Sequence, residues 1–171
     1  PKERLYHIIV DQWKRMVDEG VTNDPRYLHH GGRPVLLLWG FFPSRPASQP
    51  DYMNPVLDFL EAKGKYQAAV VGGVDDRWRV GTADFQAMLM KMTALQPWSV
   101  GRRITDSLTG YQVANTSKWA ADIAQCKANN VIFIPVFNSG TNVAGPPPVP
   151  PARSTVPRRM GNYLWEQCVA A

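Results

Sequence analysis

The sequence predicts an α/β fold that is part of a (β/α)8 TIM barrel: four consecutive βα units preceded by a helix. Three observations carry this reading. Short apolar runs alternate with amphipathic stretches of helical period, and strands alternating with helices imply right-handed crossovers and a parallel sheet. No strand is followed by a GxGxxG or P-loop sequence, so the usual nucleotide fingerprints of a doubly wound sheet are missing. Each strand ends instead in an aromatic or polar residue: Trp39, Asp75, Trp98, Asn138. In a barrel those ends form one shared rim, where active sites sit. A doubly wound sheet would concentrate function at a single switch point.

The elements follow in order. Leu5, Ile8, Ile9, Trp13 and Met16 fall on one face of an opening helix over residues 5–19, and Gly20 ends it as a C-cap glycine would. After the polar loop NDPRYLHHGGRP comes PVLLLWGFF. This run is too short for a buried helix, so it reads as a strand near 34–41 covered on both faces. A helix over 52–62, closed by Gly64, leads to a strand in QAAVVGGV near 67–73 and a helix near 83–92. The third strand is LQPWSV, 95–100. A loop and a helix near 118–129 precede the fourth strand, VIFIPVF, at 131–137. The long segment NSGTNVAGPPPVPPARSTV then leads to a last helix from about Arg159. Its proline-rich AGPPPVPP lies between a strand and a helix, and so reads as a semi-rigid loop over the barrel mouth rather than a linker.

A chain of 171 residues suffices for one domain. It opens at Pro1 rather than Met and closes at Ala171 inside the helix-like run GNYLWEQCVAA. It therefore reads as residues 1–171 of one TIM-barrel catalytic domain, cut at both ends. No run of about 18 apolar residues is present, so no membrane span is expected. The net charge is +5, but Lys and Arg are scattered, with only short pairs such as Arg102-Arg103 and Arg158-Arg159. That favours an ordinary solvated surface over a nucleic-acid partner. Cys126 and Cys168 lack metal-type spacing and fall in expected helices, where a buried thiol is the default and a disulfide the alternative.

Several residues suit chemistry. Trp39, Trp78 and Trp98 recur at strand ends, with Arg79, Arg102 and Asn138 beside them. Sugar rings present flat C–H faces that pack on indole, and their hydroxyls need fixed donors and acceptors, because an unpaired buried polar group costs about 1–3 kcal/mol. For any one tryptophan, burial in the core is the competing reading; Trp13, Trp119 and Trp165, on expected helices, are assigned to the core. Asp75 and Asp76 end the second strand. Either could serve as acid or base, or simply as a turn charge. Adjacent strand residues point in different directions, so they do not form the carboxyl pair of glycoside hydrolysis. His29-His30 enter a strand's amino end, the stability face of a barrel, and no metal site is assigned.

The order DPRYLHHGGRPVLLLWGF, VVGGVDDRWR, LQPWSVGR, PVFNSGTN and VPRRMGNYLWEQ resembles barrel proteins of bacteria and fungi related to glycoside hydrolase families 71 and 99, some of them labelled xylosidase/arabinosidase. The sharpest pieces are YLHHGGRPVLLLWG and PWSVGR. The resemblance implies a (β/α)8 barrel that acts on glycans or polysaccharides, needs no cofactor and is secreted. It also implies that the helix at RRMGNYLWEQCVAA leads to a further strand bearing an acidic Asp-Glu-x-x-Glu-Gly motif, beyond this chain. What carries over is the rim: Trp39, Gly73, Trp78, Arg79, Trp98, Arg102 and Asn138 as substrate-binding residues, with Asp75 as a catalytic auxiliary. Where the family has an aromatic and a histidine after the fourth strand, this chain has Asn138-Ser139-Gly140. Two other functions stay open: a carbohydrate-binding barrel without catalysis, and a barrel enzyme for phosphorylated metabolites, whose phosphate loop would be NSGTNVAG. The oligomeric state is not legible.

Overall fold

A computed structural model describes residues 2–99, 102–105, 112–137, 141–142, 155–156 and 169. Helix α1, Lys2–Asp18, buries Val10 and Trp13, and the Trp13 Nε1 donates to the carbonyl of Tyr66 at 2.8 Å. Gly20 follows in the left-handed region at φ 77°, the conformation that ends a helix at glycine. Strand β1, His29–His30, pairs antiparallel with the first residues of β2, Arg33–Phe41. Helix α2, Pro50–Glu61, packs on α1. Then come β3, Ala69–Asp75, α3, Ala83–Leu89, and β4, Ala94–Trp98. The Thr82 hydroxyl caps α3 by accepting from the Phe85 N–H.

Two short strands, β5, Arg103–Thr105, and β6, Gln112–Ala114, form an antiparallel hairpin where the sequence reads as loop. Runs of three residues are too short for alternation to show. Helix α4, Trp119–Ala128, leads to β7, Ile132–Phe133. This strand is shorter than expected because pairing stops after the Ile134 N–H bonds to Leu95; Pro135 has no N–H to offer. Thr141–Asn142, β8, pairs with Thr155–Val156, β9. The expected helix from Arg159, the proline-rich loop, Trp165 and Cys168 lie outside the described residues apart from Val169.

The main sheet runs β1-β2-β3-β4-β7, and β2, β3, β4 and β7 are mutually parallel in sequential order. Period-two alternation divides its faces. Leu36, Leu38, Val70, Val74 and Leu95 join the helix-side core with Val56, Leu57, Leu60, Phe85, Met88 and Leu89. On the opposite face Leu37, Val71, Ala94 and Ile132 are lateral neighbours in register, and Leu37 and Ile132 stay exposed. Between Trp39 and Phe41 the register shifts by one residue at Gly40, whose φ is 118°. This bulge needs glycine. It leaves Trp39 on the face away from the helices and turns Phe41 into the core, where it is buried.

Candidate functional site

The carboxyl ends of β2, β3 and β4 lie side by side, because Trp39 is in register with Gly73 and Asp75 with Trp98. Gly73 lets the Trp39 indole lie across β3: a Cβ there would meet Trp39 Cδ1 at 2.2 Å. Trp39 and Trp98 form an edge-to-face pair, ring centroids 6.3 Å apart and planes at 83°. They keep 54% and 44% of their surface exposed, so this pair is not core. Phe42 packs edge-on against Trp39 at 5.4 Å, and the Arg45 guanidinium lies 3.9 Å above the Phe42 ring, a cation–π contact.

Beside the aromatic pair is an ion-pair network. Asp75 is buried. Its Oδ1 accepts from the Arg77 backbone N–H at 2.8 Å and from Arg77 Nε at 3.3 Å, and its Oδ2 accepts from an Arg102 Nη at 3.3 Å. Arg102 Nε also lies 2.9 Å from Asp76 Oδ1, but is not aligned for a hydrogen bond, which leaves that oxygen unbonded. Lys118 reaches Asp76 Oδ2 at 2.9 Å. Two carboxylates thus hold the Arg102 side chain, which keeps 45% of its surface in water. Burial pushes the Asp75 carboxyl up, but the Arg77 backbone N–H, the Arg77 guanidinium and Arg102 outweigh it and hold it below the ordinary 3.8. Asp75 is therefore ionised at neutral pH, with both oxygens engaged.

The sign of this shift gives a pH prediction. A carboxyl whose folded pKa is depressed contributes stability that is present above its unfolded value near 3.8 and lost as pH falls through the folded value below it. Unfolding midpoints should therefore drop as the pH falls below about 4, and Asp75→Asn should flatten that acid limb. An acid limb of unchanged depth in the variant would show that Asp75 does not carry this network.

Trp78 and Arg79 sit elsewhere. They lie in a 3-10 turn, Trp78–Val80, after β3. Trp78 is completely buried in the core cluster, with an Nε1–H that has no hydrogen-bond partner among the described residues. It offers no ring face to a ligand. Arg79 Nε donates to Asp122 on α4. The side chain of Asp122 is only 2% exposed. Burial raises the Asp122 pKa, opposed by Arg79 and Lys118. The structure thus brings together Trp39, Gly73, Asp75, Trp98 and Arg102 and separates Trp78 and Arg79 from them. Asn138 lies outside the described residues.

Phe42, Arg45 and Lys118 join this end of the sheet without having been singled out in the sequence. Phe42 had a signal, as the second of two aromatics closing PVLLLWGFF. Asp122 had none: a single Asp on an amphipathic helix looks like any solvated charge. Trp13 and Trp119 are buried, as assigned. His29 and His30 are exposed at the amino end of β2, and among the described residues no three His, Cys, Asp or Glu side chains cluster as metal ligands. Cys126 is buried, and burial and then Asp122 push its thiol up to about 11. Among the described residues no helix is long and apolar enough to cross a membrane.

Four parallel strands in sequential order, helices along one face and a polar–aromatic cluster at the carboxyl ends define a segment of a (β/α)8 barrel. Solved glycoside hydrolases share this arrangement. The GH99 endo-alpha-mannosidase from Bacteroides thetaiotaomicron superposes with a TM-score of 0.59 at 17% identity, over 97% of this chain and 45% of that one. The same enzyme in complex with bis-tris-propane gives 0.63 at 18% identity, over 97% of this chain and 48% of that one. The likeness is one of fold, and the chain spans about half the length of the structures it matches. No protein-family profile and no curated protein matches it.

Proposed function

We propose that this chain supplies the sugar-binding rim of a glycoside hydrolase acting on glycans or polysaccharides, as part of one larger catalytic barrel. One observation carries the reading: two half-exposed indoles, Trp39 and Trp98, stand beside an arginine that two carboxylates hold in place. Indole faces suit the C–H faces of sugar rings, and a fixed guanidinium suits hydroxyls or an acidic substituent. Asp75 acts here by positioning Arg102. Its lowered pKa suits a fixed anion and not a proton donor, so the acid/base carboxylates come from strands outside this chain. The hydrolase fold of the GH99 enzyme supports the same reading, and the protein that contains this segment is assigned to the outside of the cell. No cofactor is required.

In that longer protein, Trp98→Ala is expected to weaken saccharide binding by about 1–3 kcal/mol while the circular dichroism spectrum stays native. Calorimetry giving unchanged affinity would remove Trp98 from the site. The 171-residue chain alone is expected to leave aryl glycosides and polysaccharides intact. A second reading, a carbohydrate-binding barrel without catalysis, is favoured by the engagement of both Asp75 and Asp76 in ion pairs. Hydrolysis by the longer protein would decide against it.

A further inference from the structure

We infer that the saccharide taken by this rim is acidic: a sugar carrying an ionised carboxylate or sulfate, whose anion lies on Arg77 and Arg102 while a ring packs on an indole. This rests on the sugar-binding reading and names its substrate class. At the ends of β3 and β4 the charges are layered, acids inside and bases outside.

Asp75 ends β3 and Asp76 follows it. Their side chains keep only 4% and 11% of their surface in water. The cations paired with them keep far more: 60% for Arg77, 45% for Arg102 and 32% for Lys118. Two carboxylates thus lie beneath three cations, and the cations face outward. The layering has a local cause. Asp75 turns back to accept from the Arg77 backbone N–H two residues on, an Asx turn that fixes the carboxylate against the chain. Arg77 meets it through Nε, and its two Nη groups have no hydrogen-bond partner among the described residues. Arg45, stacked on Phe42 next to Trp39, adds a further exposed cation.

Arginine and lysine side chains only donate hydrogen bonds, whereas a sugar hydroxyl both donates and accepts. A neutral sugar is therefore best served by an arginine with a carboxylate equally within reach. Here both carboxylates are withdrawn and engaged, so the charged groups beside the indoles offer donors alone. The matching ligand group accepts only and carries negative charge. Carboxylate and sulfate meet both conditions, and a guanidinium fork grips such oxyanions two-pronged. Position agrees with chemistry: Asp75 is the register neighbour of Trp98, so the arginines anchored on Asp75 stand beside that indole. Arg102 is already held by two carboxylates, and binding does not have to order it again.

The test is a screen of immobilised neutral, uronic-acid-containing and sulfated oligosaccharides with the longer protein, followed by calorimetry on each glycan retained. Acidic glycans should be retained. Each should bind at least about tenfold tighter than its neutral counterpart, made by reducing the carboxylate to the alcohol or by removing the sulfate. The arm that responds identifies the anion. Arg77→Met and Arg102→Met should each cut that preference at least about threefold, and added salt should cut it as well. The matched pair needs only the native protein, so it decides even where a variant does not fold. Retention of neutral glycans only, matched pairs of equal affinity, or a preference that both variants leave intact would overturn the acidic class and leave sugar binding standing. A screen that retains nothing would overturn the sugar-binding reading and the acidic class with it.

Discussion

Arg79→Met is expected to cost the chain about 3 kcal/mol of folding stability, the lower end of the range for breaking a buried ion pair. Asp122 is buried at the side-chain level to all but 2%. Arg79 is the ion-pair partner found for it among the described residues, so the substitution strands a carboxylate away from water. The loss is placed at the lower end because Arg79 keeps a third of its side chain in solvent, where screening weakens the pair. Coupling Arg79→Met with Asp122→Leu should recover most of the loss, since replacing both members of a buried pair by apolar groups is often close to neutral. Urea denaturation of the single and double variants measures both quantities. A single variant as stable as the native chain would show that Asp122 finds water or another cation.

Trp78→Ala should be at least as damaging, at about 3–5 kcal/mol, the range for emptying a buried aromatic site. Trp78 is among the largest completely buried side chains. Trp78→Phe should cost far less, because the indole N–H has no hydrogen-bond partner to lose among the described residues and the benzene ring keeps most of the packing. Thermal unfolding of the two variants gives the comparison. A rim role for Trp78 would invert the pattern: Trp78→Ala would leave the melting temperature unchanged and reduce saccharide affinity instead.

These two residues mark where the sequence stopped being readable. Strand and helix positions followed from period and punctuation, since a nine-residue apolar run such as that around Leu36 and Leu38 has few alternatives, and glycines such as Gly20 close helices for steric reasons. Trp39 and Trp98 lie within their strands, so alternation fixes which side they take. Trp78 lies past the end of β3, in a turn whose Arg79 bonds to Asp122, 43 residues further along the chain. Nothing local to RWRV carries that information. The β5–β6 hairpin was lost for the opposite reason: its pairing is local, but each strand has too few residues for alternation to register. Asp75 stood at the expected place, and only the geometry of Arg77 and Arg102 reveals that it is a fixed anion.

The bulge at Gly40 separates two design problems that a regular strand would tie together. Trp39 and Phe41 are two positions apart, yet one faces away from the helices and the other anchors the chain to the scaffold. The phase change is complete before the following loop begins. Whatever happens after Phe41, whether insertion, deletion or exchange for an unrelated segment, starts from an anchored residue and cannot roll the indole over. A grafted loop joined at position 42 would inherit the orientation of Trp39 unchanged, whereas a regular strand that kept residue 40 without the bulge would send Trp39 and Phe41 to the same side and empty one of the two sites.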